Sequence, residues 1–229
     1  MDPDGNGVFL VARRGLLDAG RLRSYADLKG LKIAIPDRKS SLEYVVTRAL
    51  EAGGLTTDDA ELVVLTFPAM LAALATQTID MALLPEPLAT QAVHNGSAVK
   101  WRGVADVVPG FQLTVVALSP RLMAQRDVAV RWMTAYLRGI RDYNDAFVKN
   151  THRAQIAGAL ASLFSIDPKL FDDMGFMHID PDGKLNLASM EDLTRWYVKM
   201  GYLSDPVDLA RIVDASFVEA AVADLGPYP

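Results

Sequence analysis

The chain of 229 residues contains no cysteine. That absence excludes disulfides, cysteine-ligated zinc, iron–sulfur clusters and thiol catalysis together, although it does not identify a compartment. Long apolar runs are missing too. The longest, at residues 62–65 and 81–85, fall far short of the roughly 20 residues that cross a bilayer. No basic block or basic–aromatic stripe occurs and the formal net charge is −5, so nucleic acid is not an expected partner. The opening Asp2-Pro3-Asp4-Gly5-Asn6-Gly7 is polar and turn-rich, without the charged start and apolar stretch of a signal peptide. Either the chain is cytoplasmic or its natural N-terminus lies upstream. Catalytic signatures are equally scarce. His94, His152 and His178 fall in unrelated segments without metal-ligand spacing, so no metal or other cofactor is expected. There is no glycine-rich phosphate loop, G-x-S-x-G elbow or H-E-x-x-H motif. Asp58-Asp59 and Asp172-Asp173 read as solvated helix starts rather than paired catalytic acids.

What the chain does have is apolar content, 51% of its residues, which suffices for a sizeable core. Residues 8–11 form a short β-type run, and 24–30 read as one helical turn capped by Ser24 and stopped by Gly30. From there strands and helices alternate. Strands are expected at 31–35, 61–65, 79–84 and 98–101. Helices fall between them: one capped by Ser40 or Ser41 and ended by Gly53-Gly54, one at 69–76, and one from Glu86-Pro87 to Asn95-Gly96. Continuously apolar strands in such an alternation predict an α/β sheet covered on both faces. A longer strand, rich in β-branched residues, is expected at 111–118. Beyond Ser119-Pro120 the chain turns helical, with Val128, Trp132, Met133, Tyr136, Leu137, Ile140, Tyr143 and Phe147 on one stripe. Further helices are expected at 154–164, at 189–200 behind a Ser189-Met190-Glu191-Asp192 capping box, and at 208–225.

Three loops join a strand to a helix, the place where open α/β sheets hold ligands. Lys39-Ser40-Ser41 precedes a helix whose free N–H groups and positive end attract an anion, although a serine there also serves as a plain cap. Glu86-Pro87 puts a carboxylate at another helix start, where the helix dipole favours it. Phe67-Pro68 offers an apolar wall between these loops, or simply core packing.

Several phrases resemble the NMT1/SsuA-like family of bacterial substrate-binding proteins. Tyr25-Ala26-Asp27-Leu28-Lys29-Gly30-Leu31-Lys32-Ile33-Ala34 is similar to its "DLKGKKIA" segment. Ala73-Leu74, Ile79-Asp80-Met81-Ala82 and Leu84-Pro85-Glu86-Pro87 resemble its "AL..G.IDAA...EP" segment, and Gly201-Tyr202-Leu203, Asp214 and Phe217 fit its tail. Gln77 departs from that pattern, standing where the family has glycine. A glutamine forced to positive φ there costs roughly 1 kcal/mol, so a different turn is expected. About a hundred residues that the resemblance implies before this point are missing, which reads as N-terminal truncation.

The resemblance implies a type II periplasmic-binding-protein fold, α/β with two lobes and a mainly parallel sheet, the first lobe incomplete. Residues 1–30 would be a remnant of lobe one, 31–110 lobe two, and 111–229 a return strand and the helical part of lobe one. Crossings near Gly30 and Pro109-Gly110 would form the hinge. The implied function is solute receptor of an ABC importer: extracytoplasmic, monomeric when complete, partnered by the permease, without a covalent step. A small polar organic or anionic molecule would lie between the lobes against Lys39, Ser40, Ser41, Phe67, Glu86 and Pro87. Glu86 would accept hydrogen bonds from a ligand amine or from an arginine of the other lobe. The rivals are a thiamine-pyrimidine-synthase-like enzyme, which the lack of cysteine disfavours, a ligand-sensing domain of a regulator, which would need a DNA-binding segment, and a truncated remnant that binds nothing. If lobe one is incomplete, the helices from Val128 onward should expose apolar surface around Trp132, Tyr136 and Tyr143 and favour self-association.

Overall fold

The computed structural model describes residues 7–229; the polar run at 2–6 lies outside the described residues. Five strands make one sheet: β1 (Val8–Arg13), β2 (Lys32–Ile35), β3 (Glu61–Val64), β4 (Met81–Pro85) and β5 (Ala98–Gly103), in the spatial order β3-β2-β4-β1-β5. β2 pairs in parallel with β3 and β4, while β1 runs antiparallel to both β4 and β5. Four strands therefore share one direction, with a single reversed strand inserted among them.

Period-two alternation gives the sheet two buried faces. Leu10, Ile33, Ile35, Met81 and Leu83 point to one face, which is covered by α2 (Ser41–Ala52) and the short α5 (Val104–Val107). Val11, Ala34, Ala82 and Leu84 point to the other, beneath α3 (Phe67–Ala75) and α4 (Leu88–His94). A one-turn α1 (Arg14–Asp18) follows β1.

Two strand expectations are corrected. The run at 8–11, expected in a remnant of lobe one, is an inner strand of this sheet, so the chain on both sides of Gly30 belongs to the same layer. Val8, Leu10, Val11 and Ala12 are all buried, which an inner strand covered on both faces requires. Residues 111–118, expected as a strand, form none. β-branched residues favour strands only where a neighbouring strand offers a ladder, and this stretch instead leaves Val115 and Val116 exposed. Gln77 adopts φ +59, so the tight turn before β4 is kept despite the side chain.

The helical part comprises α6 (Pro120–Met123), α7 (Arg126–Phe147), α8 (Arg153–Phe164), α9 (Leu187–Lys199), α10 (Leu209–Ile212) and α11 (Ser216–Leu225). The 22-residue α7 is its spine. Met133 and Leu137 pack on Ala221 of α11, and Phe147 stacks on Phe176 at 4.0 Å. The far end of the stripe is less covered: Trp132 is 43% exposed and stacked on Tyr136, whereas Tyr136 and Tyr143 are half-buried. The helix expected at 208–225 is two helices: Asp208 caps the first, accepting from the Ala210 N–H, and the second starts afresh at Ser216, whose N–H donates to Asp214. Likewise α9 begins earlier than expected, with Asn186 capping the Ser189 N–H. No helix among the described residues is long and apolar enough to cross a membrane.

α9 fastens this part to the sheet. Trp196 meets the Tyr44 ring edge-on at 5.5 Å, and the Tyr44 hydroxyl donates to Asp192 at 2.5 Å. Arg48 donates to Asp192 and Glu51, at 2.6 and 2.8 Å. Burial works against the Asp192 carboxylate, but the hydrogen bonds from Tyr44 and Arg48 outweigh it and hold the group below its ordinary range.

Buried tyrosines link stability to high pH. Burial pushes the Tyr143 hydroxyl up to about 12, and its neutral form donates to the Met177 carbonyl at 3.0 Å. Burial likewise raises Tyr25, Tyr44, Tyr197, Tyr202 and Tyr228. An unfolded tyrosine ionises near pH 10, so these groups favour the fold below about pH 10, and that contribution is lost as pH rises further, for Tyr143 toward about 12. Denaturant titrations across this range should show stability falling steeply, and less steeply in Tyr143→Phe. Parallel curves for the two proteins would show that Tyr143 carries no linkage.

Candidate functional site

The parallel register of β2 and β4, with Ile33 opposite Met81 and Ala34 opposite Ala82, sends both strands to the same edge of the sheet. β3 ends there as well, because it is parallel to β2. The loops that carry Lys39-Ser40-Ser41, Phe67 and Glu86-Pro87 therefore share one edge.

After β2 the chain turns through Lys39, at φ +57, into Ser40, whose extended backbone starts α2. Ser40 Oγ donates to the Asp37 carbonyl and accepts from the Glu43 N–H at 3.2 Å. Ser40 is thus the cap, and Ser41 the first helical residue. Glu43 is completely buried. Its carboxylate accepts from the Lys39 N–H at 2.5 Å, from Arg38 Nη1 at 2.8 Å, and from the Tyr202 hydroxyl at 3.2 Å, so this buried charge is well matched. Lys39 Nζ lies 5.4 Å from the centre of the Tyr202 ring, within cation–π range. Among the described residues the N–H groups of Ser41 and Leu42 have no acceptor, as is usual for a first helical turn. The edge therefore keeps free donors in the turn that follows Lys39, while Glu43 has taken part of the helix start's anion-holding capacity.

Glu86 is engaged differently from the expectation. Its side chain is 5% exposed. Oε1 lies 2.6 Å from Lys100 Nζ and accepts from Thr90 Oγ1 at 3.0 Å and the Gly175 N–H at 3.1 Å; Oε2 accepts from the Thr90 N–H at 3.0 Å. The partner from beyond the sheet is a backbone N–H, not an arginine, and the cation belongs to β5. Pro87 is half-buried, joined to Glu86 by a cis peptide, and α4 begins just after it. Phe67 is half-buried against the Met70 and Leu74 face of the core.

Sequence reasoning passed over Glu43, Thr90, Lys100 and Tyr202. Ser40-x-x-Glu43 has capping-box spacing, so Glu43 was findable. Lys100 sits in an apolar strand with no local signal of its partner 14 residues earlier. A shallow depression of about 300 Å³, lined by Arg13, Arg14, Gln77, Asn95 and Ser97, lies at the opposite edge of the sheet, away from these loops.

A sheet of this order, bound to a helical part that reaches its carboxyl edge, is a type II periplasmic-binding-protein architecture. A model of the NMT1-like family matches residues 1–161, and the chain belongs to that family. A provisionally named binding protein of Brucella abortus (strain 2308) is 25% identical over 201 residues, which is 81% of this chain and 60% of that protein. The chain thus spans about 60% of the length of the curated relatives it matches. Among solved structures, the periplasmic nitrate-binding protein NrtA of Synechocystis PCC 6803 superposes with a TM-score of 0.77 at 14% identity, over 97% of this chain and 66% of its own. The ligand binding component of an ABC-type import system from Staphylococcus aureus, solved with zinc bound, gives 0.71 at 18% identity, over 95% and 72%. The fold is not confined to binding proteins: the desulfurization enzyme DSZB shares it with a TM-score of 0.63 at 18% identity, over 96% and 77%.

Proposed function

We propose that this chain is the solute-binding receptor of an ABC importer, working outside the cytoplasmic membrane and delivering a small polar organic or anionic molecule to a permease. The observation that carries this reading is the sheet edge where the loops after β2, β3 and β4 converge, with free N–H groups at Ser41 and Leu42 beside Lys39. Family membership and the binding proteins among its structural relatives support it. In this reading Lys39, Ser40 and Ser41 hold the polar end of the ligand, Phe67 supplies an apolar side, and Glu86 and Pro87 form the adjoining wall. The sheet is one lobe and the helical part belongs to the other. Binding is non-covalent, and a ligand touching both lobes favours the closed arrangement only by its differential contacts with it.

A thermal-shift screen of sulfonates, nitrate, bicarbonate and pyrimidines tests the proposal. A genuine ligand at about one hundred times its Kd stabilises the fold by about 2.7 kcal/mol. Ser41→Asp should weaken binding by at least about tenfold and so cut that stabilisation to about 1.4 kcal/mol or less. Aspartate is well tolerated in a first helical turn, so the unliganded melting point should stay put. A shift undiminished by Ser41→Asp would move the site elsewhere. Recovered compounds are analysed by mass spectrometry in the same experiment, and conversion of any of them would make the chain an enzyme.

A further inference from the structure

Beyond any ligand, the surroundings of Glu86 join two parts of the molecule that are distant in sequence. An ammonium group has three protons to donate, and each of those on Lys100 has an acceptor: Glu86 Oε1 at 2.6 Å, Thr90 Oγ1 at 2.7 Å and the Asp173 carbonyl at 2.8 Å. Phe9 covers the same Nζ at 4.8 Å from its ring centre. One residue pair further out, His94 Nε2 stands 2.8 Å from Asp173 Oδ2. The Gly175 N–H completes the set on Glu86. Phe9 and Lys100 belong to the sheet, Thr90 and His94 to α4 and Glu86 to the turn between β4 and α4, while Asp173 and Gly175 belong to the segment between α8 and α9 of the helical part. The Lys100–Glu86 pair is largely shielded, with side chains 20% and 5% exposed, so it is little screened by water or salt.

We propose that Glu86, Thr90, Lys100 and His94 form a clasp that fastens residues 173–175 onto the carboxyl edge of the sheet, and that this segment opens as a local unit when the clasp is broken. The proposal stands apart from the solute-binding reading, because it concerns how two parts of the chain are joined whether or not a ligand exists. It gives Glu86 a positioning role: its carboxylate sets where the neighbouring segment runs. The contacts are concentrated in one place. A single missing donor leaves Glu86 buried without its cation and frees the Asp173 carbonyl together. A set of independent surface contacts would behave otherwise, each contributing little.

Hydrogen–deuterium exchange read by mass spectrometry on the whole chain tests this. In Lys100→Met, which keeps the apolar stem under Phe9, peptides covering 170–177 should exchange about tenfold faster or more, with α11 and the β2–β3 peptides unchanged. An acceleration below about twofold at 170–177, or one of equal size throughout the chain, overturns the clasp. His94→Ala removes a partly exposed ring that the sheet does not need, and it carries the test alone if Lys100→Met does not fold. Acceleration of about twofold or more confined to 170–177 then supports the clasp, and unchanged exchange there overturns it.

Discussion

Tyr44→Ala is expected to cost about 4 kcal/mol of folding free energy, near the middle of the range for emptying a buried aromatic site. Tyr44 is 1% exposed and lies where the sheet and helical parts meet. Its ring stacks on Phe111 at 5.3 Å and meets Trp196 edge-on at 5.5 Å, and none of these groups can follow a retreating side chain without dragging its own element. The hydroxyl adds a hydrogen bond to Asp192, but Asp192 keeps Arg48 and is 38% exposed, so water can replace that donor. Tyr44→Phe should therefore cost only about 1.5 kcal/mol. Urea titrations of the two variants separate packing from polarity. Equal losses would show that the hydroxyl, and not the ring, holds the two parts together.

The second large effect belongs to the centre of the sheet. Leu83 is completely buried on β4, between β2 and β1, and packs into the same core as Ile33, Tyr44 and Val45. Leu83→Ala leaves a cavity that the strands on either side cannot collapse into, for a loss of about 3 kcal/mol. Val64→Ala is the control. Val64 sits on the edge strand β3 and is 50% exposed, so its loss should stay within about 0.5 kcal/mol. Comparable losses at the two positions would contradict the core assignment. Both are measured by equilibrium denaturation at one pH and temperature.

Much of this architecture was legible before any coordinates. Ile33, Ala34 and Ile35 in a row, or Met81 to Leu84, between turn residues read as strands buried on both faces, and Ser40-Ser41 marked the start of α2, with the choice of cap between them left open. The strand at 8–11 was equally legible as a strand, although it was expected in a remnant of lobe one. Its place between β4 and β5 was not legible, because partners about 70 or more residues away leave no mark on a six-residue run. Residues 111–118 failed in the opposite direction: strand propensity was present and the neighbouring strand was absent.

The candidate site divides along the same line. Local chemistry, read along the chain, determined the helix starts at Ser40 and after Glu86, the strand–loop–helix order that puts them on one edge, and the family. Capping, dipole and side-chain alternation act over one to four residues, so sequence alone can express them. Only the tertiary structure decided that Glu43 takes the Tyr202 hydroxyl, that Lys100 neutralises Glu86, and that Gly175 reaches across to it. Those partners are separated by 159, 14 and 89 residues, and a buried charge is satisfied by whatever the fold brings within about 3 Å, which spacing along the chain does not encode.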